Sequence, residues 1–274
     1  MSSLPEIVGR SVESESLLAC VAADRHVLLE GPVGVGKTVL ASAAARALGR
    51  GIVRVDGDGR YTESKLVGQF DPPQVLARGY LPETFLPGPL VRAMREGAVL
   101  FVNELNRMPE GVQNVLLPAM DEGRIVVPHL GEVAAARGFV VLATQNPAEF
   151  VATAALSEAL LDRFELVKLE HATAEEERAI VARAARCQPS AGVIAAAVEV
   201  VRATRNDPRI RRGASVRAAI AIADIATQLG GDVARAARLA LPTRIELMDA
   251  HGTQATEVLD DLAKKAGAVA LAST

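Results

Sequence analysis

The chain has no tryptophan, and its eight aromatic residues (six Phe, two Tyr) are 3% of 274 positions. Its two cysteines, Cys20 and Cys187, stand far apart and form no CxxC pair. That excludes a disulfide scaffold and fits a reduced, cytoplasmic setting. Cys20, inside "SLLACVA", reads as a small core residue. The four histidines share no ligand spacing, so no histidine metal centre is expected, His129 included. Positive charge is not in excess: 30 Lys and Arg face 33 Asp and Glu, for a net charge of −3. Nucleic-acid binding, which needs a basic face, is therefore disfavoured. No apolar run approaches the roughly 20 residues of a membrane span. The opening "MSSLPEIVGR" lacks the apolar stretch of a signal peptide.

What is present is aliphatic: 50% of the residues are hydrophobic, enough for a sizeable core, and the many alanines favour helix. A helix opened by a Ser cap is expected over 11–24. Short apolar runs at 26–30 ("HVLLE"), 51–56, 98–103, 139–144 and 164–169 predict five strands. Helical patterns lie between them, at 39–48, from about 62, at 89–97 and at 109–123, where Pro118 predicts a bend. The stretch 70–89 reads as irregular, and 124–133 as a hairpin with His129 at its tip. Strands alternating with helices predict an α/β fold, a parallel sheet covered on both faces.

Beyond residue 170 the pattern becomes helical throughout. Helices are expected at 172–187, 191–205, 213–229 and 231–249, with one more over 257–274 and a frayed end. The domains expected are 1–170, an αβα nucleotide-binding core, and 171–274, an all-helical unit.

"GPVGVGKT" (31–38) matches G-x-x-x-x-G-K-[ST] between a strand and a helix. Gly31, Gly34 and Gly36 let the backbone curl so that its N–H groups face phosphate oxygens. Pro32, Val33, Val35 and Val39 complete the cradle, and the helix N-terminus adds a favourable dipole. Lys37 would reach the β- and γ-phosphates of ATP, and the Thr38 hydroxyl would bind Mg²⁺. At the end of the third strand, "VLFVNELNRMP" places Glu104 where it could orient or deprotonate an attacking water. Asn103 stands where an acid usually helps to hold the metal. Its amide oxygen can still accept from a metal-bound water, but it brings no charge, which would cost about 10–100-fold in metal affinity or activity. Asn146, just past the fourth strand in "LATQNP", could bond the attacking water or the γ-phosphate.

These pieces, in this order, resemble the AAA+ ATPases, specifically the MoxR-type branch. "HVLLEGPVGVGKT", "ELNRMPEGVQNVLLPAMDEGRI", "FVVLATQNPAE", "LSEALLDRFE" and "GASVRA" carry the resemblance over nearly the whole chain. It implies an AAA+ P-loop NTPase core with a five-stranded parallel sheet, followed by a small helical lid. It further implies a homo-oligomeric ring, usually hexameric, with ATP at subunit interfaces. Arg163 in "LDRF" would be an arginine finger acting in trans, worth about 10³–10⁵ in rate. Arg217 in "GASVRA" would sense the γ-phosphate from the lid, and residues 7–10 would border the adenine. Most members of the family carry Asp at position 103, so this chain departs from the pattern there.

On that resemblance the chain is an ATP-hydrolysing, chaperone-like remodelling or maturation factor. It would act on a protein client with a partner bearing a von Willebrand factor A domain. Asn103 keeps open a second reading, a non-hydrolysing ATP switch or scaffold, and a DNA-acting motor is a third. Intact Glu104, Asn146, Arg163 and Arg217 favour a slow but competent ATPase. Tyr61, Phe70, Tyr80 and Phe85 crowd the segment around 69–90, which could grip a partner or pack into the core.

Overall fold

The computed structural model describes residue 4 and residues 6–146, 155–248, 257–262 and 264. It divides into two compact units: Met1–Pro32 with Gly36–Glu170, and Val33–Val35 with His171–Thr274.

The first unit begins with α1 (Ser11–Ala22), which no side chain caps: its N-cap is Arg10, in a left-handed conformation. Cys20, near its end, is half-buried. Next come β1 (Val27–Glu30), α2 (Lys37–Ala47), β2 (Ile52–Asp56) and α3 (Glu63–Val67), whose cap Thr62 accepts from the Lys65 N–H. The segment expected to be irregular is ordered. It holds β3 (Gly68–Phe70), α4 (Pro72–Arg78) and β4 (Phe85–Pro87), with β3 and β4 paired antiparallel. The two prolines that suggested a loop occupy the first turn of α4, where a missing N–H costs nothing. Phe85 is buried and Phe70 packs beside it, while Tyr80 is exposed and stacks on His129 at 4.0 Å between ring centroids. The segment thus gives two rings to the core and shows one.

α5 (Pro89–Glu96) leads into β5 (Val99–Asn103). The expected bend near Pro118 is a break between α6 (Glu110–Asn114) and α7 (Leu116–Asp121). Pro118 has no N–H to offer the Asn114 carbonyl four residues back. The hairpin β6 (Arg124–Val127) and β7 (Gly131–Ala134) turns at His129, and β8 (Val140–Gln145), α8 (Glu158–Leu161) and β9 (Glu165–Lys168) complete the unit.

Five strands form one sheet in the order β2-β5-β8-β1-β9, and every pairing is parallel. Parallel neighbours cannot be joined by a tight hairpin, so the chain crosses over between strands through helix-bearing connections. The core clusters Leu28, Leu100, Val102, Val141 and Ala143 of the sheet with Leu90, Met94 and Leu116 from the helices, all under 2% exposed. Burying each large aliphatic side chain contributes about 1.5–3 kcal/mol. Because the strands are parallel, their C-terminal ends share one edge, where α/β sheets bind ligands.

The second unit contains α9 (Ala174–Ala184), α10 (Ala191–Asn206), β10 (Ile210–Arg212), α11 (Val216–Gln228), α12 (Val233–Ala240) and β11 (Glu246–Leu247). A capping box between Thr173 and Glu176 opens α9, and Ser190 and Asp232 cap α10 and α12. Its core is mostly alanine and valine from α10, α11 and α12. Buried Glu177 is held by Arg202 at 3.3 Å and Arg205 at 2.8 Å, the partners a buried carboxylate needs. The helix expected over 231–249 stops at Ala240: Leu241 keeps helical geometry at φ −78°, ψ −37°, but Pro242 has no N–H to offer the Arg238 carbonyl. The chain then returns as β11, antiparallel to β10. Residues 257–262 are helical, and the rest of the expected terminal helix lies outside the described residues, Lys264 excepted.

Candidate nucleotide site

The loop 31–36 leaves β1 and enters α2 with three glycines at positive φ: 157° at Gly31, 79° at Gly34 and 99° at Gly36. Gly31 is required on a second ground. A Cβ there would lie 2.2 Å from the Leu169 carbonyl at the end of β9. Gly36 has open space around it, so backbone conformation alone calls for glycine there. Lys37 folds back over the loop, its Nζ donating to the carbonyls of Gly31 at 2.5 Å and Pro32 at 2.9 Å. Thr38, partly buried, stands in the first turn of α2, and Val39 beside it is exposed.

Two strands away β5 ends, and the chain turns sharply. Asn103 is the last strand residue, and Glu104 follows in the left-handed region at φ 57°, ψ 53°. A non-glycine residue holds that geometry only when its surroundings impose it. Gly57 does so: its N–H donates to the Asn103 carbonyl at 2.7 Å, and a Cβ there would sit 2.1 Å from the Glu104 carbonyl. Thr144 of β8, fully buried, accepts the Glu104 N–H at 2.8 Å. The Glu104 carboxylate, 29% exposed, pairs with Arg107 at 2.7 Å.

Asn103 is bound on both sides. Its Nδ2 donates to Asp56 at 2.9 Å, and its Oδ1 accepts from the Thr144 hydroxyl at 3.1 Å. The hydrogen bonds from Arg54, reinforced by Asn103 and opposed by burial, hold the Asp56 carboxyl below the usual carboxylate range. Asn146, buried, immediately follows β8 at the same edge. Beside the loop, Glu30 accepts from Gln145 at 2.6 Å and has Lys168 3.9 Å away. The carboxylate beside the glycine-rich loop is thus tied to neighbours on both flanking strands. Asp56, Gly57, Thr144 and Glu30 escaped the sequence reading because each acts through strands distant in sequence.

Among the described residues no group of three His, Cys, Asp or Glu side chains converges to hold a metal. A metal bound here would take most of its ligands from phosphate and water, which is the habit of Mg²⁺. The donor set at Thr38 and Asn103 fits it on that basis.

Arg163 lies at the other end of the sheet. Glu165 is level with Val27, so Arg163 sits about six residues before Gly31. From the Val27 level to Gly31 is roughly 13 Å along the strand at about 3.3 Å per residue, and Arg163 lies in the turn beyond that level. Its Nε donates to Asp121 at 2.6 Å and its Nη1 to the Ala159 carbonyl. It lines a polar cleft of about 320 Å³ with Asp24, His26 and Met120. Arg10, at the edge of the expected adenine segment, binds Glu13 at 3.1 Å and the Glu170 carbonyl at 2.6 Å. In the second unit, Arg217 is the exposed second residue of α11. Arg211 and Arg212 pair with Glu246 across the β10–β11 ribbon at 3.0 and 3.6 Å.

The AAA domain of the dynein-related subfamily matches residues 26–164, from the start of β1 to the turn before β9. The chain belongs to this family of AAA+ ATPases. Over 222 residues it is 32% identical to the gas vesicle ATPase GvpN2 of Halobacterium salinarum, covering 74% of this chain and 63% of that one. The chain thus spans less than two thirds of that relative's length. It is 29% identical over 232 residues to the uncharacterised protein YeaC of Bacillus subtilis, covering 75% and 69% of the two. Among solved structures, the RuvB Holliday junction branch migration motor of Thermotoga maritima superposes with a TM-score of 0.53. It is 21% identical, over 86% of this chain and 72% of that one. A candidate ATPase from Cytophaga hutchinsonii has a TM-score of 0.54 at 22% identity, over 95% and 90%. At those identities the likeness concerns the fold.

Proposed function

We propose that this AAA+ chain binds Mg²⁺-ATP at the glycine-rich loop and hydrolyses it slowly, in a homo-oligomeric, hexameric ring of the kind the family resemblance implies. One observation carries the reading: the loop of β1, Glu104 after β5 and Asn146 after β8 share the carboxyl edge of one parallel sheet. Lys37 and the loop amides hold the phosphates, and Thr38, with Asn103 through water, holds the metal. Bound Mg²⁺ neutralises the charge that develops on the phosphates. Glu104 orients and deprotonates the attacking water once its carboxylate leaves Arg107, and Asn146 positions that water or the γ-phosphate. Arg163 serves a neighbouring subunit's site, because its own loop is out of reach. Residues 171–274 act as a helical lid bearing Arg217 as a γ-phosphate sensor.

The sequence resemblance supports a MoxR-type remodelling or maturation role in the cytoplasm, with a von Willebrand factor A domain partner and a protein client. The Halobacterium relative is called a gas vesicle ATPase, which makes a gas-vesicle protein one client class to test. The non-hydrolysing switch is the second reading, favoured by the missing carboxylate at 103. Steady-state ATPase assays over a range of protein concentration, beside Lys37→Ala and Glu104→Gln, separate the two. Turnover that rises with concentration and vanishes in both variants supports the ring ATPase. If wild-type protein binds ATP but turns over no faster than Glu104→Gln, the switch reading replaces it.

A further inference from the structure

Asp56 and Asn103 end neighbouring strands in direct register. Arg54 donates to the Asp56 carboxylate from Nε at 3.1 Å and from Nη2 at 2.7 Å, which fixes it. A carboxylate only accepts, so the NH₂ of Asn103 must face it and the amide oxygen must point the other way. There the Thr144 hydroxyl donates to that oxygen and accepts the Glu104 N–H. Arg54 and Asn103 both donate to the Asp56 carboxylate, Thr144 donates to Asn103 and the Glu104 N–H donates to Thr144, so no donor faces a donor. The series runs from an exposed arginine on the edge strand to the backbone of Glu104, the residue proposed to orient the attacking water. The position that lacks a carboxylate is therefore hydrogen-bonded to one.

We propose that Asp56 is a positioning residue that supplies, from β2, the negative charge absent at position 103, and that the pair works only as one acid and one amide. The inference rests on the ATPase reading for its consequence and on the hydrogen-bond geometry for the pairing. Asn103→Asp restores the usual family letter, yet here it sets two carboxylates within hydrogen-bonding distance and removes the donor between them. Like charges directly opposite on neighbouring strands are destabilising. Asp56→Asn leaves two amides and no charge. Making both changes together restores one acid and one amide, with the acid on β5.

The test is a four-protein cycle: wild type, Asn103→Asp, Asp56→Asn and the double variant. Thermal midpoints without nucleotide come first. Each single change is expected to lower the midpoint by about 2–4 °C, and the double variant to return to within about 1 °C of wild type. The Mg²⁺ concentration for half-maximal ATP hydrolysis comes second. It is expected to rise about tenfold in Asp56→Asn and to recover in the double variant. Midpoint losses that simply add, or an Asn103→Asp protein as stable as wild type, overturn the pairing. Paired midpoints with an unchanged Mg²⁺ requirement overturn the charge-supplying role. The midpoints need no turnover, so an inactive wild type defeats the ATPase reading while leaving the pairing to be judged by itself.

Discussion

Arg163 donates from Nε to Asp121 at 2.6 Å, at the sheet edge opposite the glycine-rich loop. Asp121 is the last residue of α7 and lies three residues before the β6–β7 hairpin, so the contact ties that hairpin's base to the arginine. On the proposed function, a guanidinium at the end of the sheet away from its own loop would serve hydrolysis in another subunit. Arg163→Ala is expected to lower turnover by about 10³–10⁵. Asp121→Ala, which loosens the same group without removing it, is expected to cost about tenfold. The decisive experiment mixes Lys37→Ala with Arg163→Ala. Neither turns over alone, but the mixture joins an intact loop to an intact arginine across an interface, and measurable activity should return. A silent mixture, with both variants shown to co-assemble, rules out action in trans.

Gly57→Ala tests how Glu104 is held. The added Cβ would approach the Glu104 carbonyl to 2.1 Å, and both partners are backbone, so neither can rotate aside. A loss of about 1–3 kcal/mol is expected from urea unfolding. Displacing Glu104 by about 1 Å is expected to cost about 100-fold in turnover with little change in ATP affinity. Unchanged stability and activity would mean that the segments following β2 and β5 relax freely.

The five sheet strands were legible because each is a short apolar run bounded by polar or turn residues. Their order was not, since β1 lies between β8 and β9, strands that begin more than 110 residues later. The same separation explains what was missed at the site. Asp56 meets Asn103 across 47 positions and Thr144 meets it across 41, and no local pattern records such pairs. Proline misled in two opposite ways. Pro72 and Pro73 suggested a loop where they start a helix, whereas Pro242 was read through although it ends one. The loop from Gly31 to Thr38 needed no partner to be read, because its chemistry is carried by consecutive residues.

Glu104 itself supplies a prediction in which stability and activity move in opposite directions. Its left-handed conformation costs an ordinary residue roughly 1–2 kcal/mol, and glycine adopts it freely. Glu104→Gly also loses the Arg107 pair, a partly exposed contact of small value, and gains chain entropy in the unfolded state. The net expectation is a gain of up to about 1 kcal/mol in unfolding free energy, together with loss of turnover. A destabilised Glu104→Gly would show that the carboxylate's contacts outweigh the backbone strain.

His26 sets a pH dependence whose sign follows from its contacts. Its Nδ1 accepts the Val141 N–H at 2.9 Å, so Nε2 carries the proton and donates to the Met120 carbonyl at 3.2 Å. Burial is the main force pushing its pKa below the ordinary 6.5; Arg25 pushes the same way, while the Met120 bond and Asp121 oppose it. Below pH 6.5 the unfolded chain takes up a proton that the folded chain resists, so stability is complete above that pH and falls as pH drops below it. One proton gives a slope of at most about 1.4 kcal/mol per pH unit. His26→Asn removes this term but leaves every other titrating group, so wild type and variant should differ in the slope of stability between about pH 6.5 and 5. Urea midpoints at pH 7.5, 6.5 and 5.5 measure it. Parallel profiles would mean that the folded chain accepts the proton at His26 as readily as the unfolded one.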